Sequence, residues 1–289
     1  MMQHEFKLAD ALHLPFADKS FDLVFGSPPY CDARTYGIDA QRGCEEWIDW
    51  MLAVTKESLR VSKGLVLWVC AGVSRDRCYW PAPEGLLYRG WKEGIQCWRP
   101  CYWMRYGIPG SGGPQWFRAD MEYVLAFKAT KEWLPFANNT AMGKPCRYPV
   151  GGKMSNRTAE GARSNARKAR EKQPDGTLGL SGYTKPEIAN PGNSLHEETY
   201  WLKTKVGGGA LGDDLAHENE APFSEALAEF FIKSFCPEGG TVLDPFSGSG
   251  TTVCTAFKHG YNAIGTDLRQ SQIDLGTKRL SRLYETAAV

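Results

Sequence analysis

Phe21-Asp22-Leu23-Val24-Phe25-Gly26-Ser27-Pro28-Pro29-Tyr30 joins an apolar run to a stiff turn. Phe21 to Phe25 reads as a buried strand, which places Ser27-Pro28-Pro29-Tyr30 where that strand ends. Two consecutive prolines fix two backbone torsions and remove two amide donors. The carbonyls of Ser27 and Pro28 are therefore held in set directions, beside a hydroxyl and an aromatic ring. Such an acceptor row next to a stacking platform suits a planar base that carries an amino group. A proline-stiffened turn with Tyr30 packed on it would show the same four residues. The rest of the chain decides between the two.

A second junction lies near the other end. Thr241-Val242-Leu243 reads as a strand, a helix spans about 251 to 259 before Gly260, and between them runs Asp244-Pro245-Phe246-Ser247-Gly248-Ser249-Gly250-Thr251-Thr252. Glycines there let the backbone approach a ligand, and free amides at a helix start favour an anionic group. The third glycine of a full G-x-G-x-x-G is missing. A strand at 262–266 then ends at Asp267, where a carboxylate can accept from ribose hydroxyls or cap the helix that follows.

Between the junctions, strand and helix signals alternate. Phe6 to Leu8 is a short strand before Asp10. Trp47, Met51, Val54 and Leu59 recur at near-helical spacing over 45–62, with Gly64 as the expected stop. Leu65 to Cys70 is continuously apolar, as a strand covered on both faces would be. Residues 101–104 and 123–127 are further strands. Leu227, Phe230, Phe231 and Ile232 mark a helical face within Phe223 to Phe235, and Ile273, Leu280 and Leu283 mark a closing helix.

Composition shifts after about residue 135. From 138 to 188 ten Lys/Arg face four Asp/Glu, a net of +6 in a chain whose total is +1, so the remainder carries −5. Lys144, Arg147, Lys153, Arg157, Arg163, Arg167, Lys168 and Arg170 make this stretch a candidate phosphate-contacting surface, although charge runs are commonly just solvated. Its Gly, Asn and Ser content predicts a loop-rich insertion. Nine cysteines include no C-x-x-C pair and stand beside no clustered histidine, so reduced thiols are expected, with no metal site. Glu5, Lys7, Asp10 and Asp18 interrupt any leader-like apolar stretch, and no run reaches membrane-spanning length, which predicts a cytoplasmic protein.

Taken together, the two motifs resemble the beta class of amino-group DNA methyltransferases. In that class an S/D-P-P-Y motif precedes an F-x-G-x-G cofactor motif, in a permuted order with the target-recognition region between them. Here Ser27 to Tyr30 comes first, the basic stretch is in the middle, and Asp244 to Gly250 comes last. Leu8-Ala9-Asp10-Ala11-Leu12, Arg118 to Lys128 and Ala221 to Leu227 resemble weaker family segments; Asn219 and Ser224 depart from the usual H-P-A-P-F-P.

The resemblance implies an α/β, Rossmann-like methyltransferase fold: a mostly parallel seven-stranded sheet with one antiparallel strand and a circularly permuted motif order. The catalytic domain would comprise 1–130 and 213–289, and the recognition insertion 131–212. Asp10, Phe223, Asp244, Pro245, Phe246, Gly248, Ser249, Gly250, Thr251 and Asp267 would bind S-adenosylmethionine, with Asp10 reading adenine. Ser27, Pro28, Pro29 and Tyr30 would be catalytic. The Ser27 hydroxyl and Pro28 carbonyl would accept from the target amine, and Tyr30 would stack on a base turned out of double-stranded DNA.

Direct in-line attack of the amine on the methyl carbon needs no enzyme nucleophile, so Cys31 is expected to pack. Arg34 and Tyr36, in the loop after the motif, would close on the DNA. Serine in the first position favours cytosine N4 over adenine N6. The alternatives are an adenine-N6 enzyme on the same fold and a DNA-binding protein that keeps the cofactor pocket without turnover. A restriction endonuclease partner and a homodimer are both compatible with this reading.

Overall fold

The computed structural model describes residues 3–32, 42–105, 117, 119–145, 156–157, 163–164, 188–195, 213–219 and 222–287. The central sheet is built from β1 (His4–Leu8), β2 (Phe21–Gly26), β3 (Ser62–Cys70), β4 (Gln96–Met104), β5 (Met121–Lys128), β6 (Ser194–Leu195), β7 (Thr241–Asp244) and β8 (Asn262–Asp267). Their order is β1-β8-β7-β2-β3-β5-β4-β6. The first five run parallel, and β5 runs against both β3 and β4. The expected mostly parallel sheet with one antiparallel strand is therefore present. The two-residue β6 extends it, pairing parallel with Tyr102 and Trp103 of β4.

Among the described residues, five helices cover this sheet: α1 (Cys44–Val61), α2 (Ala82–Lys92), α3 (Glu225–Phe235), α4 (Thr251–Lys258) and α5 (Gln270–Ala287). The alternation along β3 shows why its sequence is apolar throughout. Leu65, Leu67 and Val69 point to one face, with Leu23 and Phe25 of β2, and meet Leu227, Phe230 and Phe231 of α3 and Val253 of α4. Val66, Trp68 and Cys70 point to the other, with Val24, and meet Trp47, Met51 and Val54 of α1 and Leu86 of α2. Each such side chain removed from water contributes about 1.5–3 kcal/mol, so both faces must be covered.

Helix ends follow capping chemistry. Ser224 Oγ accepts from Leu227 N at 3.4 Å at the start of α3. Glu45 and Glu46 in the first turn of α1 and Arg60 in its last complement the helix dipole. Two expectations need correction. Gly64 does not stop α1, which runs directly into β3 at Ser62. Gly64 instead lies inside the strand, where a Cβ would come within 2.6 Å of the Asp22 carbonyl oxygen. The sequence reading also left out α2 and the hairpin of Val73–Arg75 with Cys78–Trp80. No described helix is long and apolar enough to cross a membrane.

Candidate active site

Four neighbouring parallel strands, β1, β8, β7 and β2, finish along one edge of the sheet, and each leads into a segment singled out from the sequence. Leu8 is in register with Asp267, and Ala9 N donates to Asp267 O at 3.2 Å, so Asp10 and Asp267 lie at adjacent strand ends. Leu243 is in register with Val24, which sets the Asp244–Gly250 turn beside Ser27–Tyr30. Open α/β sheets bind ligands beyond the carboxyl ends of their strands. A cleft of about 880 Å³, counted out to its open mouth, lies there. Asp10, Ser27, Pro28, Pro29, Pro245, Phe246, Gly248 and Asp267 all line it.

At one end two carboxylates stand ready. Asp10 Oδ1 accepts from Leu12 N at 2.9 Å. Asp267 Oδ2 accepts from Gly248 N at 3.2 Å and Oδ1 from Arg269 N at 2.9 Å, so Asp267 also shapes the approach to α5. An ionised carboxylate has about four acceptor sites, which leaves capacity on both for hydroxyl or amine donors. The Phe246 ring forms an apolar wall, meeting Trp50 and Trp68 edge-on at 5.7 Å each.

At the other end, Ser27 Oγ donates to Val69 O at 3.1 Å. With its hydrogen committed to that carbonyl, the oxygen presents lone pairs. Pro29 O accepts from Trp47 Nε1 at 2.8 Å, which ties the motif to α1. Tyr30 Oη donates to Glu122 Oε2. Just beyond, Asp32 adopts a left-handed backbone (φ 46°) and is paired with Arg75 of the hairpin, whose turn residues Asp76 and Arg77 are also left-handed. Cys31 is fully buried and its thiol is pushed up to about 12, mainly by burial. It stays protonated and packs, as expected.

Other site residues from the sequence shape the cleft from behind rather than line it. Asp244 is buried, accepting from Thr252 Oγ1 at 2.6 Å and Phe246 N at 3.0 Å; burial foremost pushes its carboxyl up to about 7. Arg279, on α5, donates to Ser249 O at 2.7 Å and Ser249 Oγ at 3.3 Å, and reaches Thr251 Oγ1 at 3.5 Å. Gly250 has φ 82°, and a Cβ there would come within 2.5 Å of the Phe6 ring. Phe223 packs edge-on against Phe25 in the core.

Trp50, Arg42, Asn219, Leu268 and Arg269 line the cleft without having been proposed as site residues. Trp50 sits one position off the apolar stripe of α1, and Arg42 lies 4.3 Å over its ring. Asn219 was noted only as a family departure; it stands where a Cβ on Gly248 would come within 2.8 Å of its Nδ2. Of the basic residues, Lys144 pairs in register with Ala189, and Arg157 with Arg163. Arg34, Tyr36, Arg147, Lys153, Arg167, Lys168 and Arg170 lie outside the described residues. Among the described residues no group of three or more potential metal ligands occurs.

The model of the N6/N4 methyltransferase family, described as DNA methylase, matches residues 21–278. The type II methyltransferase M.ScaI of Streptomyces caespitosus is 38% identical over 81 residues, 28% of this chain and 27% of that protein. The type II methyltransferase M2.DpnII of Streptococcus pneumoniae is 31% identical over 148 residues, 51% of this chain and 49% of that one. The chain thus spans about a quarter of the first relative's length and about half of the second's. Among solved structures, the cytosine-N4-specific PvuII DNA methyltransferase has a TM-score of 0.64 at 18% identity, covering 96% of this chain and 86% of that one. A candidate DNA modification methylase of Thermus thermophilus, solved with S-adenosyl-L-methionine, has a TM-score of 0.55 at 24% identity, covering 96% and 93%. These two structures share the fold.

Proposed function

Because the chain belongs to the N6/N4 DNA methylase family, we propose that it moves a methyl group from S-adenosylmethionine to an exocyclic amine of DNA, the N4 amine of a cytosine turned out of the duplex. The observation that carries this reading is the single cleft in which Ser27–Pro29 and the Gly248–Asp267 region meet. The cleft fits an adenosine-bearing cation. Asp10 and Asp267 would take its hydroxyl and amine donors, Phe246 would pack on its flat face, and Gly248 leaves room where a side chain would crowd Asn219. When bound, S-adenosylmethionine supplies an electrophilic methyl group on a sulfonium.

The chain's own residues do the rest. A cytosine amine is a poor nucleophile because its lone pair is delocalised into the ring. Ser27 Oγ and the Pro28 carbonyl would each accept one N–H, which favours the pyramidal nitrogen. Tyr30 would stack on the base and offset part of the few kcal/mol that unstacking costs. With Cys31 buried and protonated, the chain offers no thiolate beside the motif, in keeping with direct transfer. The segment 131–212 would form the recognition region, its Lys and Arg contacting phosphates that position the protein without specifying sequence.

Mass spectrometry of nucleosides from plasmid DNA of cells expressing the chain tests this. N4-methylcytosine is expected. N6-methyladenine in its place would overturn the base assignment, and no methylated nucleoside would overturn the transfer itself.

A further inference from the structure

Glu122 is the second residue of the antiparallel strand β5 and is only 4% exposed. A buried carboxylate persists only with counter-charge and hydrogen bonds. Glu122 has both, and they come from different directions. Arg105, just past the end of β4, pairs with its Oε1. Arg105 is itself set over the Trp103 ring, 5.4 Å from its centroid. The other oxygen, Oε2, accepts from the hydroxyl of Tyr30, 92 residues away in the chain.

Arg105 alone would balance the charge of Glu122, so the bond to Tyr30 is not needed to neutralise it. What that bond does is fix a ring. A tyrosine turns about two side-chain torsions, and a charge-assisted hydrogen bond at the far end of the ring anchors the first, which would otherwise swing the whole ring away. A stacking surface set before the base arrives has less freedom to lose when the reacting atoms align. We propose that Glu122 is a positioning residue for the transfer: held by Arg105, it anchors the place of the Tyr30 ring on which the turned-out base stacks. This inference rests on the proposed transfer to DNA and adds a residue that does not itself touch the base.

Two variants test it. Tyr30→Phe keeps the ring and removes the hydroxyl; Glu122→Gln keeps an acceptor oxygen and removes the charge. The assay is single-turnover transfer of labelled methyl from S-adenosylmethionine to plasmid DNA from a methylation-deficient host. Each variant is expected to slow transfer by about 10- to 100-fold. Affinity for S-adenosylmethionine should not change; Tyr30→Phe leaves Oε2 of a buried carboxylate without its donor and should melt lower, so rates are read well below its transition. The double variant should be no slower than the slower single one, because one variant removes and the other weakens the same bond.

If Glu122→Gln folds poorly, the rate loss of Tyr30→Phe, read while the variant is fully folded and binds S-adenosylmethionine as tightly as wild type, still supports the role. Variants at the wild-type rate, or losses that multiply in the double variant, would overturn it while leaving the function intact. A wild-type chain that transfers no methyl to DNA would overturn the function and the role of Glu122 together.

Discussion

Asp244 is a cofactor-motif residue turned inward. Its carboxyl, 1% exposed, accepts from Thr252 and Phe246, yet burial outweighs those donors and pushes it from an ordinary 3.8 to about 7, with the charge of Asp267 adding a smaller push in the same direction. A folded-state value above the unfolded one means the native chain holds a proton that the unfolded chain releases. That stabilisation is complete below about pH 4, falls as pH rises through about 7, and is gone above it. It amounts to at most about 4 kcal/mol across the window. Asp244→Asn should therefore show a flatter dependence of stability on pH than wild type, measured by urea unfolding across that range. Parallel curves for the two proteins would refute the assignment.

The place of Ser27, Asp10 and Asp267 at the cleft was legible because each closes or follows a short apolar strand signal. Glu122 was not, because its meaning comes from Tyr30, which only the tertiary structure brings beside it. Trp50 was hidden for a related reason. It neighbours the buried stripe of α1 in sequence but turns toward the cleft.

Among the elements, α5 braces the Asp244–Gly250 turn through one side chain. Arg279 is 1% exposed and holds the Ser249 carbonyl and hydroxyl ahead of α4, with Glu225 of α3 at 3.6 Å. Arg279→Met keeps the bulk and removes the donors. Glu225 retains Lys258, which donates to it at 2.6 and 2.8 Å, so the expected loss of stability is about 1–3 kcal/mol for the orphaned carbonyl. The clearer expectation is functional. The rise in melting temperature on adding S-adenosylmethionine should be smaller than in wild type, and an equal rise would show that the brace does not support binding.

Strands β2, β3 and β7 were readable because both-face burial writes an apolar run into each of them. Helix α2 was missed because Pro83, Gly85 and Gly90 dilute its pattern. Gly64 looked like a helix stop because a glycine after an apolar stripe commonly is one, whereas here it admits the close approach of β2. The hairpin turn at Asp76-Arg77 lacks the glycine that usually announces such a turn.

Across the whole molecule, the permuted order of motifs is resolved by the sheet. The first strand, β1, pairs with the last, β8, and β2 pairs with β7, so segments from opposite ends of the chain line one cleft. No pairwise reading of the motifs supplies that adjacency, since strand order is a property of the packed sheet. The same arrangement puts the Ser27 turn, which would accept from the amine, beside the turn that would hold the methyl donor. The most direct measurement incubates the purified chain with unmethylated DNA and S-adenosylmethionine bearing a deuterated methyl group, then weighs the released nucleosides. The account predicts deuterated N4-methylcytosine from wild type and its near absence from Ser27→Ala, with S-adenosylmethionine still bound. Unlabelled DNA bases from wild type, or labelled base formed by Ser27→Ala at the wild-type rate, would contradict it.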